Sequence, residues 1–79
     1  MIPEQVNANW IDTLRDEELL KAERALHKEF AKQEAAEKQR RGASYVMLHG
    51  PEPLVTAWLR WLMVNNATSS RGLVVHRAR

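Results

Sequence analysis

The groups from which this 79-residue chain could build a chemical centre are three histidines and ten carboxylates, with no cysteine to join them. Without cysteine, neither a thiolate metal site nor a disulfide framework is available. A zinc site made from the remaining donors needs its ligands at short, defined spacings. His27, His49 and His76 instead lie in three separate segments, and no HExxH or HxH pattern links them. Glu23 and His27 are four residues apart and would share one helix face, a pairing common by chance. The histidines read as surface groups, and neither a metal nor any other cofactor is expected.

General acid–base work needs a carboxyl whose pKa is raised toward neutrality, which takes desolvation. Apart from Glu4, Asp12 and Glu52, the carboxylates fall in one charged stretch among basic neighbours, where nothing suggests desolvation. Ser44, Ser69 and Ser70 sit in no nucleophile-elbow pattern, and the isolated glycines form no phosphate loop. The expectation is a protein that is not an enzyme.

The elements that would position these residues are two helices. Residues 16–41 carry acidic Asp16, Glu17 and Glu18 at one end and basic Lys38, Arg40 and Arg41 at the other, as the helix dipole favours. Asp16 or Thr13 is a candidate N-cap and Gly42 a natural stop. Leu19, Ala22, Leu26 and Phe30 recur at spacings of three and four, which makes one apolar stripe. Beyond Phe30 the stripe fades into "KQEAAEKQRR", polar on nearly every face.

"LVTAWLRWLMV", residues 54–64, is apolar but for Thr56 and Arg60 and marks a second helix over 52–65. Pro51 or Pro53 suits its first turn and Asn65 or Asn66 its end. Leu54, Trp58, Trp61 and Leu62 form one face of it, Val55 and Leu59 a flank, and Ala57 and Val64 lie on the other side. Residues 1–13 read as an irregular lead-in from which Val6, Trp10 and Ile11 fold back onto the core. Residues 67–79 read as a mobile basic tail. The predicted fold is thus one small, mainly α domain: a helical hairpin, with a minor two-strand element available from 44–48 and 72–76.

Charge narrows the partners. The net charge of +2 is spread as −2 over residues 1–13, +1 over 14–42 and +3 over 43–79, too scattered to force a nucleic-acid reading. No apolar run reaches the roughly 18 residues of a membrane span, and no basic face backs the tryptophans as in an interfacial helix. "MIPEQVNANW" lacks the features of a secretory leader, so a cytoplasmic location is expected.

One amphipathic stripe can cover only one face of an apolar helix. The other face needs the lead-in, the 45–48 segment or another molecule. Trp, Tyr and Arg dominate the energetics of protein interfaces, which makes Arg60, Trp61, Tyr45, Met63 and Trp58 the candidate partner-binding residues. The expected function is a small regulator or inhibitor that occludes a surface of a larger protein or complex, of the kind phage and mobile elements use. A homodimer through the second helix is a further way to cover it. The alternative from a different class is a nucleic-acid-associated factor binding phosphates through Arg40, Arg41, Arg71, Arg77 and Arg79.

Overall fold

The computed structural model describes residues 2–45 and 50–75. The chain is mainly helical: α1 (Ala8–Asp12), α2 (Asp16–Arg41) and α3 (Glu52–Ser70), with a short 3-10 turn, Gly42–Ser44, after α2. No strand occurs among the described residues. Of the expected strand pair, residues 46–48 and 76 lie outside them, and Ser44, Tyr45 and 72–75 form none.

The lead-in expected to be irregular contains a short helix, α1. Asn7 works as an N-cap rather than a breaker, its Oδ1 accepting the Trp10 N–H at 2.9 Å. α2 has the bounds expected of it, but neither Thr13 nor Asp16 caps it. Arg15 occupies the N-cap position, and Glu18 reaches back to accept its N–H at 3.0 Å. At the far end Gly42 takes φ 58 and ψ −127, a backbone conformation closed to most side chains.

α3 runs five residues past the expected stop, through Asn65, Asn66 and the "ATSS" segment to Ser70. Its buried stripe explains this, because Val64 and Thr68 are both fully enclosed. The helix ends in a Schellman motif: Leu73 N–H bonds to the Thr68 carbonyl at 2.9 Å and Gly72 N–H to that of Ser69 at 3.0 Å. Gly72 has φ 73, and Leu73 packs onto the core. The tail expected from residue 67 is therefore folded as far as Leu73.

The core joins all three helices. Ile11, Leu19, Ala22, Leu26 and Val64 are buried together, with Ile2, Val6, Trp10, Leu14, Trp61, Ala67 and Leu73 packed around them. α3 turns Leu54, Ala57, Trp61, Val64 and Thr68 inward, at spacings of three and four. Of the three faces, Ala57 and Val64 are buried at the centre, while Trp58 and Leu62 are half-buried on the flank. No helix among the described residues is long and apolar enough to cross a membrane.

Leu19→Ala removes a fully enclosed side chain and is expected to cost about 2–5 kcal/mol. Leu59→Ala, at a site 49% exposed, should stay within about 0.5 kcal/mol. Urea unfolding of the two variants measures the contrast.

Candidate functional site

The polar chemistry of the molecule is gathered between α2 and α3. Glu23 is fully buried, and its Oε1 accepts the Trp61 indole N–H at 2.7 Å and the Asn65 amide at 3.4 Å. A buried carboxylate is costly without such donors, so these bonds fix where α3 sits along α2. The Trp61 ring is stacked on Phe30, centroids 5.4 Å apart and planes within 2°, and meets His27 edge-on at 5.2 Å. Glu23 and His27 therefore both address Trp61, and His27 is half-buried rather than a plain surface group. No group of three His, Cys, Asp or Glu side chains that could hold a metal occurs among the described residues. His49 and His76 lie outside those residues.

The five residues singled out for partner binding do not share one surface. Trp61 faces inward. Arg60 donates to the Pro3 carbonyl at 2.8 Å and so ties the N-terminal segment to α3; its Nε is buried with no acceptor among the described residues. Tyr45 donates its hydroxyl to Glu34 at 3.1 Å and lies under the Lys38 ammonium, 5.5 Å from the ring centre. Trp58 is half-buried. Met63 alone of the five is well exposed, at 40%.

The basic residues are likewise divided. Arg40 and Arg41 both pair with the buried Glu37 carboxylate, Arg41 at 2.6 Å. Arg71 is anchored at the other end of α2. It donates to the carbonyls of Ile11 at 3.0 Å and Leu14 at 2.8 Å and to Asp16 at 3.2 Å. Asp16 opens α2 and Arg41 closes it, so the two clusters stand roughly 37 Å apart along the helix. Arg77 and Arg79 lie outside the described residues.

What the structure does assemble is an apolar strip on the outer side of α3. Leu59 and Met63, four residues apart, point away from α2, with half-buried Val55 and Leu62 beside them. Between Glu52 and Arg71 the sole charged side chain is Arg60, which is turned toward Pro3. The strip runs into a hollow of about 360 Å³ between α1 and α3, lined by Ala8, Ile11, Met63 and Ala67 and by the polar Asp12, Ser70 and Arg71. A second groove, of about 600 Å³, opens on the opposite side of α1 between Ile2, Trp10, Leu14, Ala22 and Ala25.

Leu59 was the residue that pattern reading missed. The available signal was its neighbours: Glu52, Thr56, Asn66 and Ser70 place solvent on that side of the helix, and Leu59 and Met63 are its apolar members. Comparison adds no relative from which to borrow a role: no protein-family model, curated protein or solved structure matches the chain.

Two measurements probe the polar contacts. Trp61→Phe keeps a ring against Phe30 but removes the donor to Glu23, and should lower stability by about 1–3 kcal/mol in chemical unfolding. The Tyr45 phenol is pushed above its usual 10.0, by burial first and then by its hydrogen bond to Glu34 and the nearby charge. Because the neutral phenol is the form favoured on folding, its contribution is complete below pH 10.0 and is lost as pH rises through the raised pKa. As Tyr45 is the single tyrosine, phenolate absorbance reports it directly, and Glu34→Gln should bring its midpoint down toward 10.0.

Proposed function

We propose that this protein is a small, non-enzymatic binding module that seats the outer face of α3 on a larger protein and regulates it by occluding a surface. The observation that carries this reading is the pairing of Leu59, 49% exposed, with Met63, 40% exposed, on a stretch of helix without outward charge. Apolar side chains of that size are ordinarily covered, and each one buried contributes roughly 1.5–3 kcal/mol. The chain leaves them bare although it is short of core.

The surrounding contacts support the same reading. Trp61, Arg60 and Arg71 are occupied in holding α3 and the N-terminal segment in place, which presents the outer strip on a firm support. A rigid helix face loses little conformational entropy on binding. Of the five arginines considered for phosphate contact, the three among the described residues, Arg40, Arg41 and Arg71, are split between two distant clusters and already paired with carboxylates or carbonyls. Phosphate binding is therefore the weaker reading.

The test is capture from a lysate of the cells that make the protein, at about 0.5 M salt, where exposed charges are screened within a few Å. Wild type should retain a larger protein, and Leu59→Glu with Met63→Glu should lose it while keeping full helical circular dichroism. Retention unchanged by the double substitution overturns the assignment. So does capture of nucleic acid alone that vanishes at this salt.

A further inference from the structure

We propose that the outward face of α2 is a second binding surface, which lies along the phosphate backbone of a nucleic-acid duplex through Lys21, Arg24, Lys28 and Lys32. It is separate from the docking face of α3. Arg40, Arg41 and Arg71, already paired, take no part in it.

The sequence conceals this surface because α2 is electrically balanced, with seven acidic and seven basic side chains. Folding sorts them. Glu23 and Glu37 are buried. Glu34 takes the Lys38 ammonium and the Tyr45 hydroxyl, and Glu29 accepts the Gln33 amide. Asp16 pairs with Arg71, and Glu18 accepts the Arg15 N–H. Glu17 alone of the seven shares the outward face, at its first turn.

The cations fall differently. At 3.6 residues per turn, Lys21, Arg24, Lys28 and Lys32 lie within an arc of about 80°, opposite Leu19, Leu26 and Phe30. All four are exposed, and none is paired with a carboxylate among the described residues. Arg24, Lys28 and Lys32 follow one another at four residues, a spacing at which like charges repel. A merely solvated face gains from alternating signs at that spacing, and this one forgoes the gain.

The row is straight and about 16 Å long. Each strand of a duplex presents one phosphate per about 3.4 Å of axis, so the row faces about five of them. Ala25, Ala31 and Ala35 stand beside the cations and leave their long side chains free to reach outward. Other anionic partners fit less well. A single strand needs aromatic platforms, a membrane surface needs apolar side chains to insert, and an acidic protein needs an apolar anchor. Within the arc α2 offers none of these. Three of the four cations are lysines, which meet phosphate as point charges, so the contact is independent of base sequence.

Fluorescence anisotropy of a labelled duplex of about 20 base pairs, titrated with the full chain, tests this. At about 50 mM salt the dissociation constant should fall in the range of roughly 1–100 μM. Four phosphate contacts give a slope of about −3.6 in log affinity against log salt, or roughly a 150-fold loss between about 50 and 200 mM. Arg24→Gln with Lys28→Gln should halve that slope and weaken binding by about tenfold or more. Arg15→Gln with Lys38→Gln removes the same charge away from the row and should keep the wild-type slope. All four substitutions are at exposed positions, and both variants should keep full helical circular dichroism. A DNA and an RNA duplex of one sequence, run side by side, tell which is preferred, and binding of either supports the face. No binding up to about 500 μM overturns it, as does equal weakening by the two variants. Tighter binding to a single strand, to phosphatidylserine vesicles or to polyglutamate than to the duplexes overturns it as well.

Discussion

Everything in this small molecule depends on seating one carboxylate, Glu23, between two helices. Its Oε1 takes the indole N–H of Trp61 from a helix thirty-eight positions away in sequence. Sliding α3 by one turn would withdraw that donor from a fully enclosed acceptor, so the register of the two helices is held tightly. Once it is held, Arg60 arrives at the Pro3 carbonyl, Arg71 arrives at the end of α1, and Val64 drops into the core beside Leu19 and Leu26. A hydrophobic stripe alone would tolerate several registers of similar energy. The buried hydrogen bond distinguishes among them.

The consequence for recognition is a division of labour around α3. Its inner side holds the fold together, and its aromatic and cationic residues are used there. The outer side is left with aliphatic side chains and methionine, which adapt to partners of varied shape. Arginine and tryptophan are frequent interface residues, but they are also the residues best able to bond at a distance within a chain. In a protein this size the internal use took precedence.

The sequence made α2 legible to its bounds, because charge, capping and periodicity all agree there. It made α3 legible as a helix but not its length or its orientation. The two asparagines looked like a stop, while the true stop lay at Gly72, where a following leucine that packs on the core completes a Schellman motif. Which of its faces points inward was not legible, because the helix is apolar on nearly every side. Ala57, Val64 and Thr68 are buried, and Trp61 turns inward for its N–H. That choice answers to Glu23, whose burial no local pattern reveals. Met63 was legible as a candidate, but its exposed neighbour Leu59 followed only once the inward direction was known. The paired states of Arg40, Arg41 and Arg71 were equally hidden, since each depends on a partner whose position is set by the fold.

Arg71 also carries a meaning for how the chain is made. Its guanidinium closes α1 and the start of α2 with residues 55 to 60 positions earlier. Val64, which completes the core, follows Leu26 by 38 positions. At about 5–20 residues per second, a ribosome leaves the stripe of α2 uncovered for roughly 2–8 seconds before its complement exists. The dense charge of α2 gives that uncovered helix a well-solvated face in the interval. The polar surface that contributes little to the finished core is thus a safeguard for the unfinished one.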